Sequence, residues 1–302
     1  MAYIVSAKLR LLVLICIVGL FFGSASTQNR RPRRQSSLGT GRRRVMNSLD
    51  RSSLRGVSVY NVDKYGASGN GWSDDSTAFW AAWQGACTSA LPSVFLVPEG
   101  KKYLVRPINF KGPCSAPGLT VLISGTIVAP TDLWNAEEQG AWLQFSYLQE
   151  TTIQGGGIVD GSGQKWWAYS CANFNSQSCV RKAPLALGLN FCKNVALRNL
   201  TVQNSPGEHV KFYSSTYVEV SNLQITAPGD SPNTDGMKIA MSQNVVIRNS
   251  TIGTGDDCVA IITGSSDIQI YDIVCGPGHG ISIGSLGENN ARDTVSNVVV
   301  SG

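Results

Sequence analysis

The chain has 302 residues, 42% of them hydrophobic and only 15% charged, with 32 glycines. That balance excludes an unfolded chain and a polytopic membrane protein, and it points to short strands and tight turns. The net charge of +5 sits in one stretch: residues 30–55 hold nine Arg against one Asp, whereas residues 56–302 hold 14 basic and 19 acidic side chains, so no nucleic-acid partner is expected.

Lys8 and Arg10 precede an apolar run, Leu11 to Phe22, and small residues at 23–26. Residues 1–25 therefore read as a signal peptide, too short for a comfortable membrane span. The arginines just downstream oppose translocation and leave an uncleaved anchor as the alternative. Residues 26–55, rich in Arg and Ser, read as a linker or pro-segment. Export implies an oxidising compartment. Without Cys16, seven cysteines remain, none at C-x-x-C spacing, so disulfides are expected with one cysteine left over.

From Asp75 to Cys87 the spacing is helical. Ala78, Ala82 and Ala86 fall at i+4 steps beside Phe79 and Trp83, and Asp75 or Ser76 is placed to cap the start. This is the one helix the pattern supports, and it is suited to cover the open end of a stack of strands. Further on, Trp166 and Trp167 follow Asp160-Gly161-Ser162-Gly163; they suit either sugar stacking or packing at a corner.

Beyond residue 190 a nine-residue template recurs, starting at Asn194, Tyr217, Asn244, Asp267 and Asn297, at steps of 23, 27, 23 and 30 residues. Its second and fourth positions are apolar, as in a strand. A period of this length predicts a solenoid of parallel strands, a parallel β-helix occupying residues 56–302. The sixth position reads Asn199, Asn222, Asn249, Asp272, which predicts an internal polar ladder at a bend. The sequons at Asn199 and Asn249 make glycosylation the competing reading.

A second strand per coil aligns independently, with Glu208, Asp235, Asp257 and His279 leading each copy and apolar residues at +2 and +4. Strict alternation would turn these leaders inward, and the turns at Asn233-Thr234 and Gly255-Asp256 are expected to re-aim them outward. Asp235, Asp256 and Asp257 would then gather beside His279. Like charges held so close raise one another's pKa, an arrangement suited to acid–base chemistry. A calcium site is the rival, which His279 fits poorly; no metal and no cofactor is expected. His209 reads as a structural histidine. Lys211 and Lys238, both at +3, add positive potential near the cleft.

Asn233-Thr234-Asp235-Gly236, Gly255-Asp256-Asp257-Cys258 and Gly278-His279-Gly280 resemble three of the four signature motifs of the polygalacturonases, glycoside hydrolase family 28. Further residues resemble plant members, among them Val94 to Gly100, Asp160 to Trp167 and Cys275 to Gly287. The resemblance runs from about residue 57 to the end. It implies an all-β, right-handed parallel β-helix with a short N-terminal capping helix, and inverting hydrolysis of α-1,4-linked galacturonan. Asp256 is then the general acid. Asp235 and Asp257 prepare the attacking water, and His279 supports the acid or touches substrate. Asn233, Gly280 and Lys238 are expected to contact substrate, and Cys258–Cys275 to be a disulfide. The implied protein is a secreted, monomeric cell-wall enzyme acting on pectic polysaccharide, with no membrane partner once mature.

The fourth family motif, Arg-Ile-Lys, occurs nowhere in the sequence. The chain reads as cut short at Gly302, with the odd cysteine's partner lost in a missing tail. Two alternatives follow, an inactive pectin-binding wall protein and a rhamnogalacturonan-type hydrolase. A pectate lyase is disfavoured, because the column offers clustered acids rather than a basic side chain.

Overall fold

Apolar residues at alternate template positions need a common interior, and stacking successive coils provides it. The computed structural model describes residues 56–134, 140–173, 179–180, 182–287 and 290–302; the expected signal peptide and the Arg- and Ser-rich segment lie outside the described residues. One coil runs through the strands Leu185–Asn190, Lys193–Arg198 and Thr201–Gln203, and the next through Val210–Tyr213, Thr216–Ser221 and Gln224–Thr226. Each strand pairs in parallel with its counterpart one coil on. The result is a parallel β-helix with three faces.

The register follows the repeat residue for residue. Val195 pairs with Val218, Val218 with Val245, Val245 with Ile268 and Ile268 with Val298. These are the second template positions, and the first four are buried together with Leu197, Val220, Ile247 and Ile270. Burying such a side chain contributes about 1.5–3 kcal/mol, so a one-residue slip, which would turn the whole apolar set outward, is strongly disfavoured. The stack also extends back through Gln149–Gln154, Leu119–Ile123 and Ser93–Val97, earlier rungs that the template did not reveal.

The sixth-position residues do not form an internal ladder. Asn199, Asn222, Asn249 and Asp272 have φ of 51°, 54°, 49° and 52°, the left-handed region that Asn and Asp enter most readily after glycine. Their side chains are exposed, and among the described residues no hydrogen bond links them to one another. The backbone bend, rather than side-chain pairing, accounts for this column.

The helix spans Ser76–Cys87 and buries Ala78, Phe79, Ala82, Trp83 and Ala86. Its aromatic stripe plugs the first coils: Phe79 meets Phe95 edge-on at 5.8 Å, Trp83 meets Phe110 at 5.2 Å, and Phe110 stacks on Phe145 at 4.8 Å. The side-chain cap differs from the expectation. Asp74 Oδ1 accepts the Ser76 N–H at 3.0 Å, while the Asp75 carboxylate turns back to the Ser68 and Gly69 N–H groups. A second short helix, Gln164–Ala168, buries Trp166 and Trp167. Trp167 Nε1–H donates to the Ser205 carbonyl at 3.0 Å and Trp166 packs edge-on against Trp134, so both are packed at this corner, Trp166 with an edge on a pocket. Among the described residues no helix is long and apolar enough to cross a membrane.

Among the described residues three disulfides form: Cys87–Cys114, Cys171–Cys179 and Cys258–Cys275. The odd cysteine is Cys192, buried in the core with its thiol against the Asn190 carbonyl at 3.4 Å. Burial pushes the thiol up to about 11, which keeps it protonated and inert. It acts as a small core residue and needs no partner, contrary to the expectation of one in a missing tail.

Candidate active site

Two turns on adjacent rungs are locked together before any acid is placed. Thr234, fully buried, donates its hydroxyl to the Ser231 carbonyl at 2.9 Å, and the Gly255 N–H donates to Thr234 Oγ1 at 3.0 Å. Glycine is required at 255, because a Cβ there would lie 2.0 Å from the Ser231 carbonyl oxygen. Asn233 takes a left-handed φ of 56°. The chain therefore reaches Asp235 kinked, and its carboxyl lines a solvent-facing pocket while Met237 and Ile239 point into the bore. The expected re-aiming of the column takes place.

Asp256, Asp257 and His279 meet on the next rungs, with polar atoms all within 4.8 Å of one another. Asp256 Oδ1 lies 3.2 Å from His279 Nδ1 and accepts the Asp257 N–H at 3.0 Å, while Asn233 Nδ2 reaches Asp256 Oδ2 at 3.5 Å. Asp257 Oδ2 accepts the Ser282 hydroxyl. Gly280 accepts the Cys258 N–H at 2.8 Å, and the Cys258–Cys275 disulfide braces that rung. The imidazole of His279 is 70% exposed. The three groups offer four carboxylate oxygens to a calcium ion, which takes six to eight ligands, and three of the four already accept hydrogen bonds.

One rung earlier, Lys238 Nζ lies 3.0 Å from Asp235 Oδ2 and 3.0 Å from Glu208 Oε1. Burial raises the Asp235 carboxyl, which is only 5% exposed; Lys238 opposes the rise, and Asp256 and Glu208 add to it. Burial also works against an ionised Glu208, but Lys238 and Lys211 outweigh it and hold that carboxyl below its ordinary range. Lys238 binds its proton more firmly than usual, since Glu208 and Asp235 overcome the effect of burial. These side chains, with Asn233, Trp166 and the exposed Lys182, line a pocket of about 210 Å³.

His209 is fully buried, with Nδ1 3.1 Å from the Asp235 carbonyl and Nε2 3.5 Å from the Ser205 N–H. Nε2 also lies 3.3 Å from the Thr226 carbonyl, so a neutral ring donates to one of the two carbonyls at a time, and burial pushes the imidazole down to about 4. It is a structural residue, as expected. Ser282 and Lys182 are additions, and Glu208, already a leader of the column, gains Lys238 as its partner. Ser282 occupies the same +3 position as Lys211 and Lys238, so the repeat carried its signal. Lys182 lies on an irregular connection that carried none.

The family model for Glycosyl hydrolases family 28 matches residues 87–302. A polygalacturonase of Malus domestica is 47% identical over 242 residues, 80% of this chain and 52% of that protein. Polygalacturonase-2 of Solanum lycopersicum is 43% identical over 254 residues, 84% of this chain and 55% of that protein. The chain thus spans about half the length of the curated relatives it matches. Among solved structures, endo-xylogalacturonan hydrolase from Aspergillus tubingensis superposes with a TM-score of 0.68 at 28% identity, over 80% of this chain and 64% of that one. An exopolygalacturonase from Thermotoga maritima gives 0.65 at 21% identity, over 80% of this chain and 65% of that one, a likeness of fold.

Proposed function

The chain belongs to glycosyl hydrolases family 28, and on that premise we propose that it hydrolyses α-1,4-galacturonosyl linkages of pectin by an inverting mechanism. The observation that carries the reading is the meeting of Asp256, Asp257 and His279 beside the half-walled Asp235. Protonated Asp256 donates to the glycosidic oxygen as the C1–O bond breaks. Asp235 and Asp257 orient a water and take its proton as its oxygen bonds to C1 from the opposite face. Inversion needs roughly 6.5–9.5 Å between acid and base to admit that water, and leaders on successive rungs that diverge outward suit such a gap. His279, hydrogen-bonded to Asp256, supports the acid; Asn233 and Gly280 stand where a sugar would pass. The exposed Lys182 supplies positive charge for a substrate carboxylate.

Three disulfides agree with an oxidising compartment, and the proposed setting is the plant cell wall, reached through the signal peptide at 1–25. The domain reading remains a linker or pro-segment at 26–55 followed by the β-helix, acting as a monomer. Reducing-end release from polygalacturonate tests the activity, and the sense of rotation of the first product tests inversion. The 302-residue chain should yield the β-anomer. Binding of polygalacturonate without release of reducing ends would instead favour an inactive pectin-binding protein, the reading to which the lack of an Arg-Ile-Lys string belongs. Cleavage confined to rhamnogalacturonan would move the substrate class.

A further inference from the structure

Lys238 occupies the outward +3 position of the rung that Asp235 leads. Its ammonium stands 3.0 Å from a carboxylate oxygen of Asp235 and 3.0 Å from one of Glu208, with the lysine side chain only 20% exposed. Two of its three donors are thereby directed at carboxylates, one on its own rung and one on the rung before. The expectation that it reaches substrate leaves this geometry unexplained. Resting on the hydrolytic reading of the site, we propose that Lys238 is a positioning residue: it holds the Asp235 carboxylate ionised and turned to the pocket, and Glu208 sets how much of the lysine's charge Asp235 receives.

The physical case begins with desolvation. A nearly buried carboxylate loses its hydration, which favours the neutral form. Glu208 on the previous rung repels its charge, and Asp256 on the next does so whenever it is ionised, so burial and neighbours together work against a base. Lys238 is the cation in contact with it; Lys211 acts at longer range, and Lys182 lies along the same pocket. Glu208 competes with Asp235 for the same ammonium. Because both carboxylates hold the lysine proton firmly, Lys238 keeps its charge across the range in which Asp235 titrates. An opposite charge at this distance typically lowers a carboxyl pKa by about one to three units.

The clamp predicts opposite shifts from its two ends. In the intact chain, the Asp235 side-chain carboxyl is followed by carbon-13 NMR as a function of pH. Lys238→Met should move its midpoint up by about one to three units, and Lys238→Arg should restore most of the change. Glu208→Gln, which frees the lysine for one partner, should move the midpoint down. In the hydrolysis assay the acid limb of kcat/KM should follow in the same directions, with KM little changed. An unmoved midpoint in Lys238→Met overturns the proposal, as does a raised KM with an unmoved acid limb, which would make the lysine a substrate contact. Equal shifts in one direction for Lys238→Met and Glu208→Gln would also overturn it. If the chain releases no reducing ends, the hydrolytic reading fails while the NMR midpoints still decide the clamp.

Discussion

Two columns of polar side chains climb the same solenoid, and they differ in how they repeat. At one corner stand Asn199, Asn222, Asn249 and Asp272; ahead of another face stand Glu208, Asp235, Asp257 and His279. The first column keeps nearly one residue type, is exposed, and shares one backbone conformation. The second runs Glu, Asp, Asp, His, is largely sheltered until His279, and engages its own neighbours. Each coil meets the same bend, so an identical demand selects an identical residue. A site needs particular groups at particular points along a substrate, so its column is not held to one residue type.

The largest expected effect lies beside the second column, at the residue that precedes Asp257. Asp256→Asn keeps the shape and removes the proton donor, and loss of general acid catalysis typically costs about 10²–10⁴ in rate. Release of reducing ends from polygalacturonate should fall by that much, while the urea midpoint stays near that of the parent. Asn249→Asp, an equally small change in the first column, should leave the rate intact. Equal losses in both variants would erase the distinction between the columns.

Next comes the hinge that sets the second column apart. Gly255→Ala places a Cβ 2.0 Å from the Ser231 carbonyl oxygen, which is backbone and cannot step aside. Overpacking of this kind should cost about 3 kcal/mol and displace Asp256 with its turn. Gly100→Ala meets no atom within 4 Å and bears only the penalty of its φ of 79°, about 1 kcal/mol. Urea denaturation of the two variants measures the difference.

Much of this contrast was legible in the sequence, for a physical reason. Register in a solenoid is set by which apolar residues share the bore, so Val195, Val218, Val245 and Ile268 announced their stacking through spacing alone. The earlier rungs at Ser93–Val97 and Leu119–Ile123 were hidden, because the connections between them vary in length and break the period. The corner asparagines were visible but misread, since a stacked amide column and a row of left-handed residues look the same as letters. The clamp of Lys238 between Glu208 and Asp235 needs side-chain reach between rungs, which alignment does not report. Asp74 and Asp75 are adjacent acids, and only the fold decides which carboxylate turns to the helix and which to the Ser68 loop.

The two histidines carry the comparison inward. His279 ends the second column in solvent, whereas His209 follows Glu208 in the chain and is buried against the Asp235 carbonyl. The folded-state pKa of His209 is depressed from 6.5 to about 4 by burial, so the unfolded chain takes up its proton first. Its contribution is fully present above pH 6.5 and is lost as pH falls from there towards 4. At pH 5 the loss should be about 2 kcal/mol. The unfolding free energy in urea, measured at pH 7 and pH 5, should drop by about that much more in the parent than in His209→Gln. Identical pH slopes would mean that the buried imidazole already holds a proton in the fold.

The smallest effect tests the first column on its own terms. If Asn222 is present for its backbone, Asn222→Ala should cost about 1 kcal/mol, because alanine enters the left-handed region less readily. Asn222→Gly should be neutral or slightly stabilising, since glycine has no Cβ to strain there. A side-chain ladder would reverse that order of reasoning, with both variants losing the same hydrogen bonds to Asn199 and Asn249 and falling together. Asn222 is also the corner asparagine between the two sequons, outside any Asn-X-Ser/Thr triplet itself. A glycan therefore cannot blur its unfolding curve directly, and the alanine–glycine gap isolates the conformational cost.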